Sequence, residues 1–456
     1  MHPVDQHTLL ELQIIAENNR SVSILNFFDQ TKTPGGRDYL KAMLSKPKSS
    51  LSELLSLQKL LKTIQEKPEI WQITIPRAYI MAVESYYELS VAHSMSNDVF
   101  RHWFDTFIYF LKSPEEYYRI QSGLFATFRL IKAIKHTLAA LREEDIPGEI
   151  ANEVAFMRKF LSSGTIKSFL NQKEDRLSNR AVFRMDYYFR ISHKKELRQL
   201  LDIFYRFDAY LAIIKTASQH SLSFPRFEKN INEFNAATIW HPLIPNAVPN
   251  SFVLSNERPV CILTGANTSG KTTFLKACGI AIYLAHLGCP VPAKEMSLPF
   301  FDRLYTSIHL SDDLAAGYSH FYNEMMRIKS VAEALHAGDK CFIIIDELFR
   351  GTNHDDALHC SKTVVDGFSR SNGSLFLVST HLMEMVNHYQ TSPQIAFHCF
   401  RTRITGSQFE NSFQIEPGVS SEKVGRLIMD KTGITSLLEN TKGPQMIESL
   451  LTMNQI

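Results

Sequence analysis

The chain has 456 residues, enough for about three domains or two large ones, and long enough to bury a full core without disulfide or metal staples. Hydrophobic residues make up 44% and charged residues 21%, which excludes disorder, collagen and coiled-coil rods for the bulk of the chain. Against 49 Lys and Arg stand 47 Asp and Glu, a net charge of +2, so any surface for a polyanion has to be local.

No run of 18 apolar residues occurs, so no membrane span is expected. The opening MHPVDQHTLLEL carries an acid early and has no apolar core, unlike a secretory signal. Six cysteines, Cys261, Cys278, Cys289, Cys341, Cys360 and Cys399, form no C-x-x-C pair. They read as free thiols in a reducing cytoplasm.

Residues 1 to about 230 read as helical. Leu124, Phe128, Ile131, Ile134, Leu138 and Leu141 recur at steps of three and four, as do Leu197, Leu200, Phe204, Phe207, Leu211 and Ile214. Each series lays one apolar stripe along a helix. Thr33-Pro34-Gly35-Gly36, the Glu143–Glu149 segment with Pro147-Gly148, and polar Asn171–Asn179 read as turns between helices. The aromatic residues crowding 100–128 are expected in the core. A proline-rich loop, His241-Pro242-Leu243-Ile244-Pro245 and Pro249, comes next, and the pattern then changes. Val260–Thr264, Cys341–Ile345 and Ser374–Val378 are short apolar runs separated by helical stretches. They predict a mostly parallel sheet covered on both faces. Each run ends in glycine or polar residues, at the edge where ligands of such sheets sit.

The first run leads into Gly265-Ala266-Asn267-Thr268-Ser269-Gly270-Lys271-Thr272, which fits G-x-x-x-x-G-K-[ST] between a strand and a helix. Glycines let the backbone curl so that successive N–H groups converge on phosphate oxygens. The following helix points its positive end at the same place. Lys271 would neutralise the β- and γ-phosphates, Thr272 would offer a hydroxyl to Mg²⁺, and Asn267 can reach toward the γ-phosphate. Thr268, Ser269 and Thr273 complete the nucleotide-binding set. The second run delivers Asp346, a candidate Mg²⁺ ligand, and Glu347, a candidate general base for the attacking water. The third ends at His381, suited to hydrogen-bond that water or the phosphate.

Together these motifs resemble the MutS DNA mismatch repair family, a branch of the ABC-type ATPases. GANTSGKTTFLK is similar to its phosphate loop, GCPVPA (Gly288–Ala293) to the segment after the loop helix, and DDLAAGYSHFYNEM (Asp312–Met325) to its signature. IIIDELFRGTNHDD is similar to its magnesium and base strand, STH to its histidine switch, and PGVSSEKVG (Pro417–Gly425) to its terminal strand-to-helix turn. Phe27–Pro47 and Asp208–Ala217 resemble the start and the returning helix of its helical core.

The resemblance implies a helical core and lever domain over residues 1–230. An ABC-type P-loop ATPase domain with a C-terminal helical dimerisation segment would occupy 231–456. It implies ATP and Mg²⁺ as ligands and a dimer, most simply a homodimer. Ser319 in the signature would contact the γ-phosphate held by the other subunit, and Phe413 would stack on adenine. Departures are Ala266 where the family has Pro, and Ala357 where it has Gly. On this resemblance the chain is expected to start at the core, without the family's mismatch-reading and connector domains, and no Phe-x-Glu occurs in residues 1–230.

From Arg158 to Arg198 eleven cations, among them Lys167, Arg184, Arg190 and Lys195, face four acids. This stretch could contact DNA phosphates without reading sequence. The function expected is ATP hydrolysis coupled to binding of mismatched, branched or otherwise non-standard DNA, with other repair proteins as further partners. The rival is an ABC-type ATPase that remodels a protein or RNA partner without recognising DNA.

Overall fold

The computed structural model describes residues 1–15, 22–88, 98–112, 114–172, 177, 179–228, 232–308, 320–349, 351–405, 408–420, 429 and 432–439. Helices α1 (Gln6–Glu11), α2 (Ile24–Phe28), α3 (Pro34–Ser45), α4 (Leu51–Glu66), α5 (Pro68–Trp71) and α6 (Arg77–Glu88) open the chain. They are followed by α7 (Val99–Lys112), α8 (Pro114–Ala140), α9 (Ala151–Ser162), α10 (Gly164–Leu170), α11 (Asn179–Tyr187) and α12 (Lys194–Gln219). Short polar side chains start several of them. Asp5, Ser23, Thr33 and Ser50 each accept a backbone N–H of the first turn of the helix that follows.

Thr33-Pro34-Gly35-Gly36 is therefore not a turn. Thr33 is the N-cap of α3 and Pro34 its first residue, where a missing N–H costs nothing. Gly36 is required there because a Cβ would lie 2.3 Å from Asp208 Oδ2. Asp208, from α12, accepts both the Lys32 and Thr33 N–H groups at 3.0 Å and the Thr33 hydroxyl at 2.8 Å. It thereby pins the start of α3 across 175 positions of sequence.

The aromatic segment divides. Tyr117, Leu124 and Phe128 are buried, as expected, but Phe100, Trp103, Phe104 and Phe107 are exposed. They form an i, i+3, i+4, i+7 stripe on α7 that is turned outward, with Trp103 and Phe107 stacked at 6.0 Å. Periodicity identifies a face but not which side of it the core lies on.

Among the described residues ten strands follow: β1 (Arg226–Phe227), β2 (Glu233–Ile239), β3 (Asn250–Ser255), β4 (Val260–Gly265), β5 (Glu295–Leu298), β6 (Arg303–Ser307), β7 (Cys341–Asp346), β8 (Leu375–Ser379), β9 (Ile395–Thr405) and β10 (Gln408–Pro417). Helices α13 (Lys271–Leu287), α14 (His320–His336), α15 (His354–Ser369) and α16 (Met383–Tyr389) alternate with the later strands. The main sheet has the order β10-β9-β4-β8-β7-β6. Its pairings are parallel except for antiparallel β10 on β9. A second sheet, β1-β5-β2-β3, was not expected from the sequence, because β2 and β3 alternate buried and exposed residues instead of forming unbroken apolar runs.

Strands β4, β7 and β8 are buried throughout, which is why they read as unbroken apolar runs. Helix α13 is buried along almost its whole length between the sheet and the N-terminal helices. It ends on Gly288, whose φ of +80° lets the Cys289 N–H return to Leu284 O at 3.0 Å. The Tyr283 hydroxyl donates to Leu44 O at 2.8 Å, joining α13 to α3.

One apolar cluster runs from Leu12 and Leu40 through α12 and α13 to Phe342 and Phe400, and a second lies beneath α14, α15 and α16. At about 1.5–3 kcal/mol for each fully buried large side chain, these contacts dominate stability. No helix among the described residues is long and apolar enough to cross a membrane.

Candidate nucleotide and magnesium site

In the main sheet β8 lies between β4 and β7 and is parallel to both. Parallel pairing places the ends of all three strands on one edge. The phosphate loop, Asp346-Glu347 and Ser379-Thr380-His381 are therefore neighbours, although more than 100 positions separate the first from the last.

The loop requires its glycines for stated reasons. Gly265 has φ +141°, and a Cβ on it would meet Phe400 O at 2.7 Å. Gly270 has φ +106° and lies under the Phe413 ring, whose Cδ1 would be 3.2 Å from a Cβ. Only glycine occupies such backbone without strain. Ser269 closes the turn, giving its N–H and hydroxyl to Ala266 O at 3.1 and 2.7 Å. Asn411 Nδ2 donates to Thr268 O at 3.0 Å and fixes the loop tip to β10.

Lys271 is buried, and its ammonium donates to Gly265 O at 2.6 Å and Ala266 O at 3.0 Å. His381 Nε2 stands 2.7 Å from Glu347 Oε1 and 3.4 Å from Lys271 Nζ. An ammonium and an Nε2–H both donate, so the short contact is His381 donating to Glu347 and the longer one is only an approach. Thr272 Oγ1 donates to Asp346 Oδ2 at 2.6 Å, and the Ser379 hydroxyl donates to the other oxygen of Asp346. A hydroxyl and a carboxylate at one point form an all-oxygen donor set, which fits a hard divalent cation such as Mg²⁺.

Asn267, Thr268, Gly270, Lys271, Thr272, Thr273 and Phe413 line one cavity of about 330 Å³. Gly265 and Ser269 shape the loop from behind it. The far wall was missed by sequence reasoning. It is the loop read only as a connector, with Trp240, His241, Ile244 and Val248, followed by Asn250. The available signal was its three prolines, which stiffen a segment that must hold a shape.

Asn250 holds Phe413 in place. It donates to Phe413 O at 3.0 Å and accepts the Ile415 N–H at 2.7 Å, across a register shift in β10 where Phe413 has φ +54°. His241 accepts the Leu243 N–H at 3.3 Å, and burial pulls its pKa from 6.5 to about 4, so it is neutral at pH 7. A larger cavity of about 470 Å³ lies between α5 and α12. It is lined by no residue of the phosphate loop, so the smaller one is the candidate site.

A sequence model of MutS domain V matches residues 261–442. The DNA mismatch repair protein MutS of Thermotoga neapolitana is 28% identical over 237 residues, which is 51% of this chain and 29% of that protein. The MutS of Staphylococcus aureus strain Newman is 28% identical over 262 residues, 54% of this chain and 30% of its own. The MutS of Natronomonas pharaonis is 28% identical over 198 residues, 42% and 23%. Residues 261–442 are thus similar to domain V of MutS. The chain spans less than a third of the length of these MutS relatives.

Two expected features of the MutS resemblance lie outside the described residues: Ser319, and most of the turn and tail after Ser420. In the basic stretch, Lys173, Arg176 and the Arg180 side chain do too. Arg190 is not available to DNA. It is buried against Asp186, whose carboxylate also accepts the Tyr86 hydroxyl at 2.8 Å. Lys159, Lys167, Arg184, Lys194, Lys195 and Arg198 are exposed. Among the described residues no three His, Cys, Asp or Glu side chains gather as a metal site. Five of the six cysteines are buried, and burial pushes the Cys289 and Cys341 thiols up to about 12.

Proposed function

We propose that the chain is a magnesium-dependent ATPase in which hydrolysis is coupled to binding of non-standard DNA. The observation that carries this is the convergence, on one sheet edge, of a phosphate loop, a Thr272–Asp346 oxygen pair and a Glu347–His381 pair. The substrate's phosphates would occupy the loop, drawing the Lys271 ammonium away from Gly265 O and Ala266 O. Its base and sugar would extend into the cavity between Phe413 and the Trp240–Val248 wall. Thr272 and Asp346 would hold Mg²⁺, which neutralises phosphate charge. Glu347 would take the proton of the attacking water, with His381 fixing its orientation. Positioning and charge neutralisation supply the rate in such transfers.

Ser319 is assigned to the partner's γ-phosphate, so turnover requires two chains. Residues 1–230 serve as the lever and 231–456 as the engine. Relatives named as DNA mismatch repair proteins support DNA as the partner, and the exposed lysines and arginines on α9, α10, α11 and α12 offer it sequence-blind contacts.

The test is ATPase rate and DNA binding measured with plain, mismatched and branched duplexes at low and moderate salt. Stimulation by one structure, weakening as salt rises, is expected. ATP turnover without DNA binding or stimulation would instead favour a remodeller of protein or RNA. No turnover under any condition would end the ATPase assignment.

A further inference from the structure

The anomaly is Glu324. It lies on the apolar face of α14, on which Phe321, Met325, Ile328 and Val331 pack into the second core cluster. It is 2% exposed. A carboxylate so deeply buried is costly without a dedicated partner. Its Oε1 accepts the Phe349 N–H at 2.6 Å.

Phe349 belongs to the loop that carries the general base of the proposed reaction, two residues after Glu347. Both have left-handed backbone, φ +64° at Glu347 and +61° at Phe349. Each such non-glycine residue stores roughly 1–2 kcal/mol of steric cost and persists only where its surroundings over-determine it. Here the loop is held from two sides. Ser379 takes the Glu347 N–H with its carbonyl at 3.2 Å and its hydroxyl at 3.1 Å. Glu324 takes the Phe349 N–H, and the Phe349 ring packs edge-on against Phe321, one turn earlier on α14. One turn later Arg327 anchors the same helix to Asp5 and Thr8 of the N-terminal segment.

We propose that Glu324 is a positioning residue for Glu347, a buried bracket that keeps the base loop in its left-handed turn so that the Glu347 carboxylate stays in place beside His381. This rests on the ATPase reading above. Glu324 is not among the residues lining the cavity, so its loss should act on turnover and not on nucleotide affinity.

The experiment compares wild type with Glu324→Ala and Glu324→Gln, measuring the Kd of a fluorescent non-hydrolysable ATP analogue, kcat and the melting temperature. A glutamine retains the accepting Oε1. Glu324→Ala is expected to bind the analogue within about threefold of wild type while kcat falls on the order of 10–100-fold, the scale of a misplaced catalytic group. Glu324→Gln should recover kcat to within about threefold of wild type. If the alanine variant does not fold, Glu324→Asp, which withdraws the carboxylate by one methylene, takes its place with the same expectation.

Wild-type kcat in the alanine or aspartate variant would overturn the proposal, as would equal loss of affinity and kcat, or a glutamine variant as slow as alanine. A wild-type chain that binds and hydrolyses nothing would overturn the ATPase reading and this inference together. A wild type that turns over beside an unaffected variant removes the inference alone.

Discussion

Lys271 is already engaged by two carbonyls of its own loop, so an incoming phosphate has to outbid them. It can do so because an ammonium–phosphate contact joins two opposite full charges, whereas a carbonyl offers the ammonium only a dipole. Lys271→Ala should weaken binding of a fluorescent ATP analogue by roughly 100-fold or more, and unchanged affinity would remove the lysine from the phosphate site. Glu347→Gln keeps the shape of the side chain and loses the proton acceptor. It should bind ATP near normally while kcat drops on the order of 10²–10⁴, and size-exclusion chromatography with ATP should show a trapped dimer. Hydrolysis at the wild-type rate would disprove the base assignment. These residues were legible in the sequence because phosphate chemistry demands particular side chains at fixed local spacing. Glu324 and the Trp240–Val248 wall were not, since each acts on a partner far away in the chain.

The elements tell a similar story. Apolar runs marked β4, β7 and β8 correctly because strands buried on both faces leave no alternation to misread. Helix α3 was misread at its start, since Pro34-Gly35-Gly36 resembles a turn until Asp208 is seen to hold the N–H groups before it. The exposed stripe on α7 shows the converse limit, because its spacing is that of a core helix. Asp208→Ala should therefore cost more than one surface contact. With two backbone N–H groups and a hydroxyl stranded, a loss of about 2–4 kcal/mol is expected. It would be read as a lower urea midpoint with an unchanged slope, and a loss below about 0.5 kcal/mol would show that the cap is not holding α3.

For the whole molecule, acid is the expected weakness. Burial holds His241 near 4 and His286 near 3, against an ordinary 6.5. His286 is satisfied only as a neutral ring, with Nδ1–H facing Ile282 O at 2.8 Å and Nε2 accepting the Phe301 N–H at 3.0 Å. The unfolded chain takes up protons that the folded one refuses, so stability is complete above about pH 6.5 and declines as pH falls toward 4. The loss is of order 2 kcal/mol per histidine at pH 5. Melting temperatures between pH 7 and pH 5, above most carboxylate titration, should fall steadily, and a flat profile would contradict it. Assembly gives a second test at this scale. Ser319→Ala and Lys271→Ala chains, each impaired alone, should regain one intact site per mixed dimer, about half of the wild-type dimer's activity, if the sites are shared between subunits. No recovery at any mixing ratio would argue against sharing.

Helix α1 carries a consequence for how the protein is made. Glu11 accepts the Thr306 hydroxyl and, at 2.7 Å, the Ile308 N–H, and Leu12 lies against Gly279 of α13. Glu11 and Thr306 are 295 positions apart. At roughly 5–20 residues per second, a ribosome needs about 15–60 s after making α1 before that seat exists. Over that interval the nascent chain carries Leu12 and Ile14 without their final cover, an opening for chaperones. Removing residues 1–15 should leave the β6 border of the sheet bare and the shortened protein prone to aggregate.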